Sequence, residues 1–286
     1  MQYHAWSPTI CTIIHMMTQP VTVIKLGGAL LTDKRQPFTL RHAILNQVVN
    51  ELKTCIESGF IGRLLLVHGA GSFGHPPVVQ HQLHKGFQSP TQLIHFTYAH
   101  NCVMQLRLAI AKVCHQASLA VVTIAPSSCM TADGFVARNQ FYDAISGFLD
   151  LGMIPLLGGD LITDQQVGFC VHSGDIIAVD LALHYRASRL IFATAVDGIY
   201  DRDPIQFPQA KRIGQLSLQE LVDGAAQLNV HQDLDASGAM AGKLDAVRQA
   251  SDAMRAGLCV HVLSMMREGN LQALLNGKPV GTQLVP

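Results

Sequence analysis

Three glycines in six residues, Gly69, Gly71 and Gly74, follow the apolar run Leu64–Val67 and lead to His75 in the stretch RLLLVHGAGSFGH (63–75). A glycine turn at the end of a buried strand, opening a helix, aims several backbone N–H groups at one point, which suits a phosphate. His75 adds a donor that can carry charge near neutral pH. A second unusual residue is Lys25, a cation inside the apolar run VTVIKL (21–26) that stops at Gly27-Gly28. Buried lysines are rare unless paired. Lys25 therefore either faces an anion at the end of its strand or lies at a sheet edge, and the first reading is preferred. Together these residues suit the holding of phosphate groups.

Gly69-x-Gly71-x-x-Gly74 also fits the dinucleotide-binding pattern, which requires an acidic residue about 20 positions further on. From Ser58 to Ala132 the chain has no Asp or Glu, while this window holds Arg63, Lys85, Arg107, Lys112 and seven of the 14 histidines. An acid-free stretch suits the receipt of an anionic group and argues against NAD. A phosphate loop of the form G-x-x-x-x-G-K-[ST] occurs nowhere in the sequence. His68 reads as a structural residue at a strand end, and the remaining histidines of the window as surface residues.

The 286 residues allow one large or two small domains with a substantial core. With 49% hydrophobic and 14% charged residues, the composition is that of a globular protein. The net charge of zero gives no support to nucleic-acid binding. It conceals a split: residues 1–132 carry nine Lys/Arg against three Asp/Glu, and residues 133–286 carry eleven against seventeen. The split suggests two lobes with different partners. Seven scattered cysteines without a C-x-x-C pair read as small buried hydrophobes in a reducing cytoplasm. No apolar run approaches the ~18 residues of a membrane span. Residues 1–16 lack a basic segment and any periodicity, and are expected to form a tail outside the fold.

The elements that must position these groups alternate along the chain. Hydrophobic spacing predicts strands over 21–26, 64–67, 119–125, 154–157, 190–194 and 259–263. It predicts helices over 40–58 with Thr39 as N-cap, 93–118, 141–151, 174–185 and 239–256. Residues 167–172 are expected to pair as a hairpin with those before them. The alternation predicts an α/β fold with a mainly parallel central sheet sandwiched by helices. Ligands in such sheets lie at the carboxyl ends of the strands, where Lys25, Gly69–His75, Gly158–Asp160 and Thr194–Asp203 fall.

Five blocks in order carry a resemblance: Lys25-Leu-Gly-Gly-Ala, His68-Gly-Ala-Gly-Ser-Phe-Gly-His75, Gly159-Asp160, Ser173-Gly174-Asp175 and Asp235-Ala-Ser-Gly-Ala-Met-Ala-Gly-Lys243. From about Val21 onward the chain resembles the amino acid kinase superfamily. Within it the chain is most similar to the isopentenyl phosphate kinases, mainly through Ser72-Phe73-Gly74-His75. Val196-Asp-Gly-Ile-Tyr200 looks like the superfamily's nucleotide-side loop.

The resemblance implies an amino acid kinase-like domain over 17–286, with an acceptor-substrate lobe (17–187) and a nucleotide lobe (188–286). It implies transfer of a phosphoryl group from ATP to isopentenyl phosphate, giving isopentenyl diphosphate in isoprenoid biosynthesis. By the same likeness, Lys25 and Lys243 would hold the ATP phosphates, with Asp175 orienting both. His75 would bond the acceptor phosphate, and Gly27, Gly28, Gly69 and Gly71 would offer N–H groups to the transferring group. Ala70, Ser72, Gly74, Phe87, Gly159 and Asp160 would complete the acceptor side, the role of Asp160 being open. Lys34, Thr194, Asp197, Gly198, Tyr200 and Gly238 would line the nucleotide side. Mg²⁺ would ride on the nucleotide without a protein metal site, and the protein would be a cytoplasmic homodimer. Phe87, Ile94 and Met104 are candidates to wall an isoprenoid tail. Ala70 and Ala239 stand where the family often has glycine, and both are neutral changes where φ is negative.

Two other readings remain open at this point. One is a different kinase of the superfamily, acting on a fosfomycin-like phosphonate, on uridylate or on an amino acid. The other is a non-catalytic nucleotide-binding or storage protein on the same fold.

Overall fold

The computed structural model describes residues 17–33, 35–202, 204, 206–220 and 239–286. The expected tail (1–16), Lys34, Asp203, Asp235 and Gly238 lie outside the described residues.

Six parallel strands form the centre of an eight-stranded sheet. In spatial order they are β13 (Cys259–Ser264), β9 (Arg189–Thr194), β1 (Val21–Leu26), β2 (Arg63–His68), β6 (Ile154–Gly158) and β3 (Val121–Thr123). β14 (Thr282–Val285) joins β13 antiparallel, and β12 (Gln215–Ser217) lies outside it. Period-2 alternation sorts the strand side chains between two cores. Val23, Leu65, Val67, Leu157 and Phe192 pack on one face with Ile177, Leu181, Leu244 and Val247. Ile24, Leu26, Leu66, Leu156 and Ile191 pack on the other with Leu45, Val48, Leu52, Leu106 and Ile110. The first face is covered by the helices Gly174–His184 and Ala239–Arg248, the second by His42–Glu57 and Gln92–Gln116. Burial on both faces is why these strands read as continuous apolar runs.

A four-stranded sheet with the order β5 (Val136–Gln140), β4 (Met130–Asp133), β7 (Asp160–Asp164) and β8 (Gly168–His172) leaves the end of β6. β7 and β8 form the expected hairpin. The pairing of β4 with β5 was not readable in the sequence.

Several local expectations change. The strand expected over 119–125 shortens to Val121–Thr123. The second helix starts at His42, and the preceding Arg41 caps it with no side-chain bond. Thr39 instead donates its N–H to Ser72 Oγ at 3.3 Å. The helix expected over 239–256 is two helices, Ala239–Arg248 and Ser251–Arg255. Of the six described cysteines, all free thiols, five are buried but Cys259 is exposed. Glu51 is a buried acid with a structural task, its Oε1 accepting from Leu271 N (2.7 Å) and Gln272 N (3.2 Å) at the start of Asn270–Leu275. No helix among the described residues is long and apolar enough to cross a membrane.

Candidate active site

The parallel register sets four strand ends level: Leu26 pairs with His68 and with Ala193, and His68 with Gly158. Every segment that follows one of these strands therefore opens on the same edge of the sheet. Lys25 is in the middle of that sheet, which settles its placement against an edge strand.

Two glycine turns meet back to back there. A Cβ on Gly28 would lie 2.6 Å from Gly71 Cα, and one on Gly69 would lie 2.7 Å from Gly28 N and 3.5 Å from Lys25 Nζ. Side chains at either position would force the two backbones apart. Ala70 has φ −68° and ψ −25°, a conformation open to any residue, and Gly71 follows at φ +50°. A right-handed residue followed by a left-handed one turns successive N–H groups into a concave anion nest.

α1 (Gly28–Leu31) follows the first turn, α2 is His42–Glu57, and α3 (Gly71–Gln80) opens from the second. Ser72 N donates to Thr32 Oγ1 at 2.9 Å, tying α3 to α1. Pro76 lacks the N–H that would bond the Ser72 carbonyl four residues back, and Phe38 N takes that carbonyl at 3.2 Å. Phe38 and Thr39 are thus latched to the second turn. Gly74 lies inside α3 against Val103. His75 is the fifth residue of this helix and is exposed, just past the turn rather than within it.

On one side of the turns lies a cationic group. Lys25 Nζ and Lys243 Nζ are each 2.9 Å from Asp175 Oδ1, and all three residues are buried. Ser173 caps α6 (Gly174–His184) with its Oγ on Ile176 N, and this places Asp175 in the first turn, where the helix dipole favours a carboxylate. Burial alone would raise the Asp175 carboxyl, but Lys25 and Lys243 overcome it and hold the group at about 2. Lys243 projects from α7 (Ala239–Arg248) and lies 4.7 Å from the Phe192 ring centroid. Two ammonium groups thus converge on one carboxylate oxygen beside the turns.

On the other side lies a second buried network. Asp160, at the start of β7, accepts from His100 Nδ1 at 3.0 Å and from its neighbour Leu161 N at 2.9 Å. Its Oδ2 accepts from Ser127 N at 3.3 Å and lies 3.7 Å from Arg107 Nη2. Burial pushes the carboxyl up, but the His100 bond and the Arg107 charge bring it below its ordinary value. The same bond raises His100. His100 and Arg107 both project from α4 (Gln92–Gln116). His100 is thus half-buried and engaged, not a surface residue. Arg107 was not singled out from the sequence. Its signal was its spacing: it shares the buried stripe of Val103, Leu106 and Ile110.

Gly159 donates its N–H to His68 O at 3.0 Å. Beyond Asp160, Leu83, Ala99, Leu161 and Phe169 form a small apolar cluster with Phe96 against it. Phe87 stands at its rim, 6.2 Å from Phe169 between ring centroids. Of the other two tail candidates, Ile94 is 70% exposed and Met104 Sδ is 3.0 Å from Arg107 Nη1.

The segment after β9 forms the last part of the edge. Thr194 Oγ1 donates to Val196 O at 2.7 Å and also lies 3.2 Å from Leu263 O. Gly198 (φ +141°) packs on Thr282, whose Oγ1 accepts from Ile199 N at 2.8 Å. Asp197 is half-buried, and Tyr200 pairs with Arg212 in the ribbon of β10 (Ile199–Tyr200) and β11 (Arg212–Ile213).

A family model described as the amino acid kinase family matches residues 20–264. The isopentenyl phosphate kinase of Methanothermobacter thermautotrophicus is 28% identical over 274 residues, covering 92% of this chain and 98% of that protein. The isopentenyl phosphate kinase of Arabidopsis thaliana is 32% identical over 218 residues, covering 64% of this chain and 65% of that protein. A solved isopentenyl phosphate kinase structure superposes with a TM-score of 0.76 at 25% identity, covering 93% of this chain and all of that one.

Proposed function

Because this chain belongs to the amino acid kinase family, we propose that it transfers the γ-phosphoryl group of ATP to isopentenyl phosphate. The observation that carries the reading is the pair of ammonium groups on Asp175 beside the 69–71 nest. The near full-length similarity to isopentenyl phosphate kinases supports the choice of acceptor.

In this reading a terminal oxygen of the acceptor phosphate attacks the γ-phosphorus, the bond to the β–γ bridging oxygen breaks, and ADP leaves. Positioning and charge neutralisation are the protein's main contributions to such a transfer. Lys25 and Lys243 hold the ATP phosphates, and Asp175 keeps the two ammonium groups aimed. The N–H groups of Gly28 and Gly71 receive the transferring group, because those expected from Gly27 and Gly69 are donated to Ala193 O and Leu26 O at 2.8 Å each, and the Ala70 N–H faces the acceptor phosphate. His75 bonds the acceptor phosphate, whose tail points toward the Phe96–Phe169 cluster. Thr194, Asp197, Gly198 and Tyr200 border the nucleotide, with Lys34 and Gly238 assigned to that side by resemblance. The lobes 17–187 and 188–286 meet where β1 pairs with β9.

Mg²⁺ belongs to the reading as a nucleotide-borne ion that neutralises phosphate charge. Asp175 is engaged by two lysines. A cytoplasmic homodimer completes the proposal, supported by the free thiols and the family likeness.

The test is turnover of isopentenyl phosphate, fosfomycin and uridylate with ATP and Mg²⁺. Isopentenyl phosphate is expected to have the highest kcat/KM. A tenfold preference for either of the others would replace the acceptor while leaving the chain a kinase.

A further inference from the structure

We propose that Arg107 and His68 are positioning residues that set the direction of the Ala70 N–H, and with it the anion-binding form of the 69–71 turn. The inference deepens the kinase reading and rests on it for the identity of the anion.

Arg107 is 0% exposed. Its Nε donates to His68 Nε2 at 3.2 Å. A guanidinium can only donate, so His68 Nε2 is a bare acceptor. The other ring nitrogen, Nδ1, lies 3.2 Å from the carbonyl oxygen of Gly69, and a carbonyl can only accept. Both contacts demand one species, the neutral imidazole with its proton on Nδ1. Burial and the Arg107 charge agree with this, holding His68 down at about 3.

The consequence reaches the turn through peptide geometry. A trans peptide is planar, with C=O and N–H pointing opposite ways. With the Gly69 carbonyl drawn toward the His68 ring, the Ala70 N–H of the same peptide points away from it. Among the described residues that N–H has no protein acceptor, and it is the first donor of the Ala70–Gly71 nest. The ring is also held from its other face: a side chain on Gly158 would run into the imidazole. Asp160 completes the chain by facing Arg107 Nη2. Arg107 and His68 touch no substrate in this account. They act on the acceptor through one peptide.

Two measurements test the proposal. Long-range ¹H–¹⁵N NMR of the full chain at neutral pH is expected to show His68 with Nδ1 protonated and Nε2 bare. A ring protonated on Nε2, or charged, overturns it, and this readout needs no substrate. Arg107→Met is then expected to raise the KM for isopentenyl phosphate by about 10- to 100-fold, less than the removal of a donor outright. The KM for ATP should stay within about twofold, because Lys25 and Lys243 hold the nucleotide. Arg107→Lys, which keeps a cationic donor, should recover part of the loss. An unchanged acceptor KM, or acceptor and ATP KM rising together, overturns the positioning role. Should Arg107→Met fail to fold, His68→Leu removes both ring nitrogens and is judged by the same split. A chain that turns over no isopentenyl phosphate contradicts the functional reading alone, since the His68 tautomer still decides the inference.

Discussion

The two buried ionic groups beside the glycine turns suit different tasks. Around Asp175, two lysines converge on one carboxylate oxygen. Around Asp160, one guanidinium and His100 Nδ1 meet one carboxylate, and His68 is kept neutral between Arg107 and a backbone carbonyl. Converging ammonium groups attract an anion. A fully hydrogen-bonded network fixes the direction in which its donors point. Phosphoryl transfer needs both, the first to gather phosphates and the second to aim backbone N–H groups at them.

The largest expected effect lies on the lysine side. Lys25→Met should lower kcat by roughly 10³-fold or more, comparable to the loss of a cation that stabilises a transferring phosphoryl group. A loss below about tenfold would place the phosphates elsewhere and erase the contrast.

His75 comes next, because it offers one hydrogen bond rather than the main neutralising charge. His75→Ala should lower kcat/KM for isopentenyl phosphate by about 10²-fold, with His75→Gln losing less and the KM for ATP unchanged in both. Full activity in His75→Ala would remove this residue from the acceptor site.

The smallest effect is a difference in acid stability, and it separates the two groups by pH. Both Asp175 and His68 have folded values below their ordinary ones, so each favours the native state above its unfolded value and loses that contribution as pH falls. For His68 the loss begins near the ordinary histidine value of ~6.5 and runs to about 3. For Asp175 it begins only near ~3.9 and runs to about 2. The melting temperature of His68→Gln should therefore fall less than that of the parent between those two onsets. In Asp175→Asn the altered slope should appear only in the more acidic window. Identical slopes in all three proteins would show that neither group carries the acid sensitivity.

What the sequence made legible follows from local contrast. Lys25 stood out as a cation in an apolar run, and the 69–74 turn as a glycine cluster after one. Its partner Asp175 had no local mark beyond a capping serine and came only with the family likeness. Arg107 lay in an apolar helical stripe where a long cation is easily taken for a solvated residue, and its partners His68 and Asp160 are distant in sequence. β5 was illegible because its residues are largely exposed and polar, so no alternation of core residues announced it. The break between α7 and α8 (Ser251–Arg255) has no Gly or Pro. It comes instead from a tightened turn, with Gln249 and Ala250 donating to Ala246 and Val247. β14 is defined by its antiparallel partner β13, which local spacing cannot supply.

The most direct measurement of the central claim is ³¹P NMR of the full chain with ATP, Mg²⁺ and isopentenyl phosphate. The account predicts that the monophosphate signal is replaced by the paired signals of a diphosphate ester, with one ADP formed for each. ATP left intact, or ADP formed together with inorganic phosphate while isopentenyl phosphate persists, would contradict it.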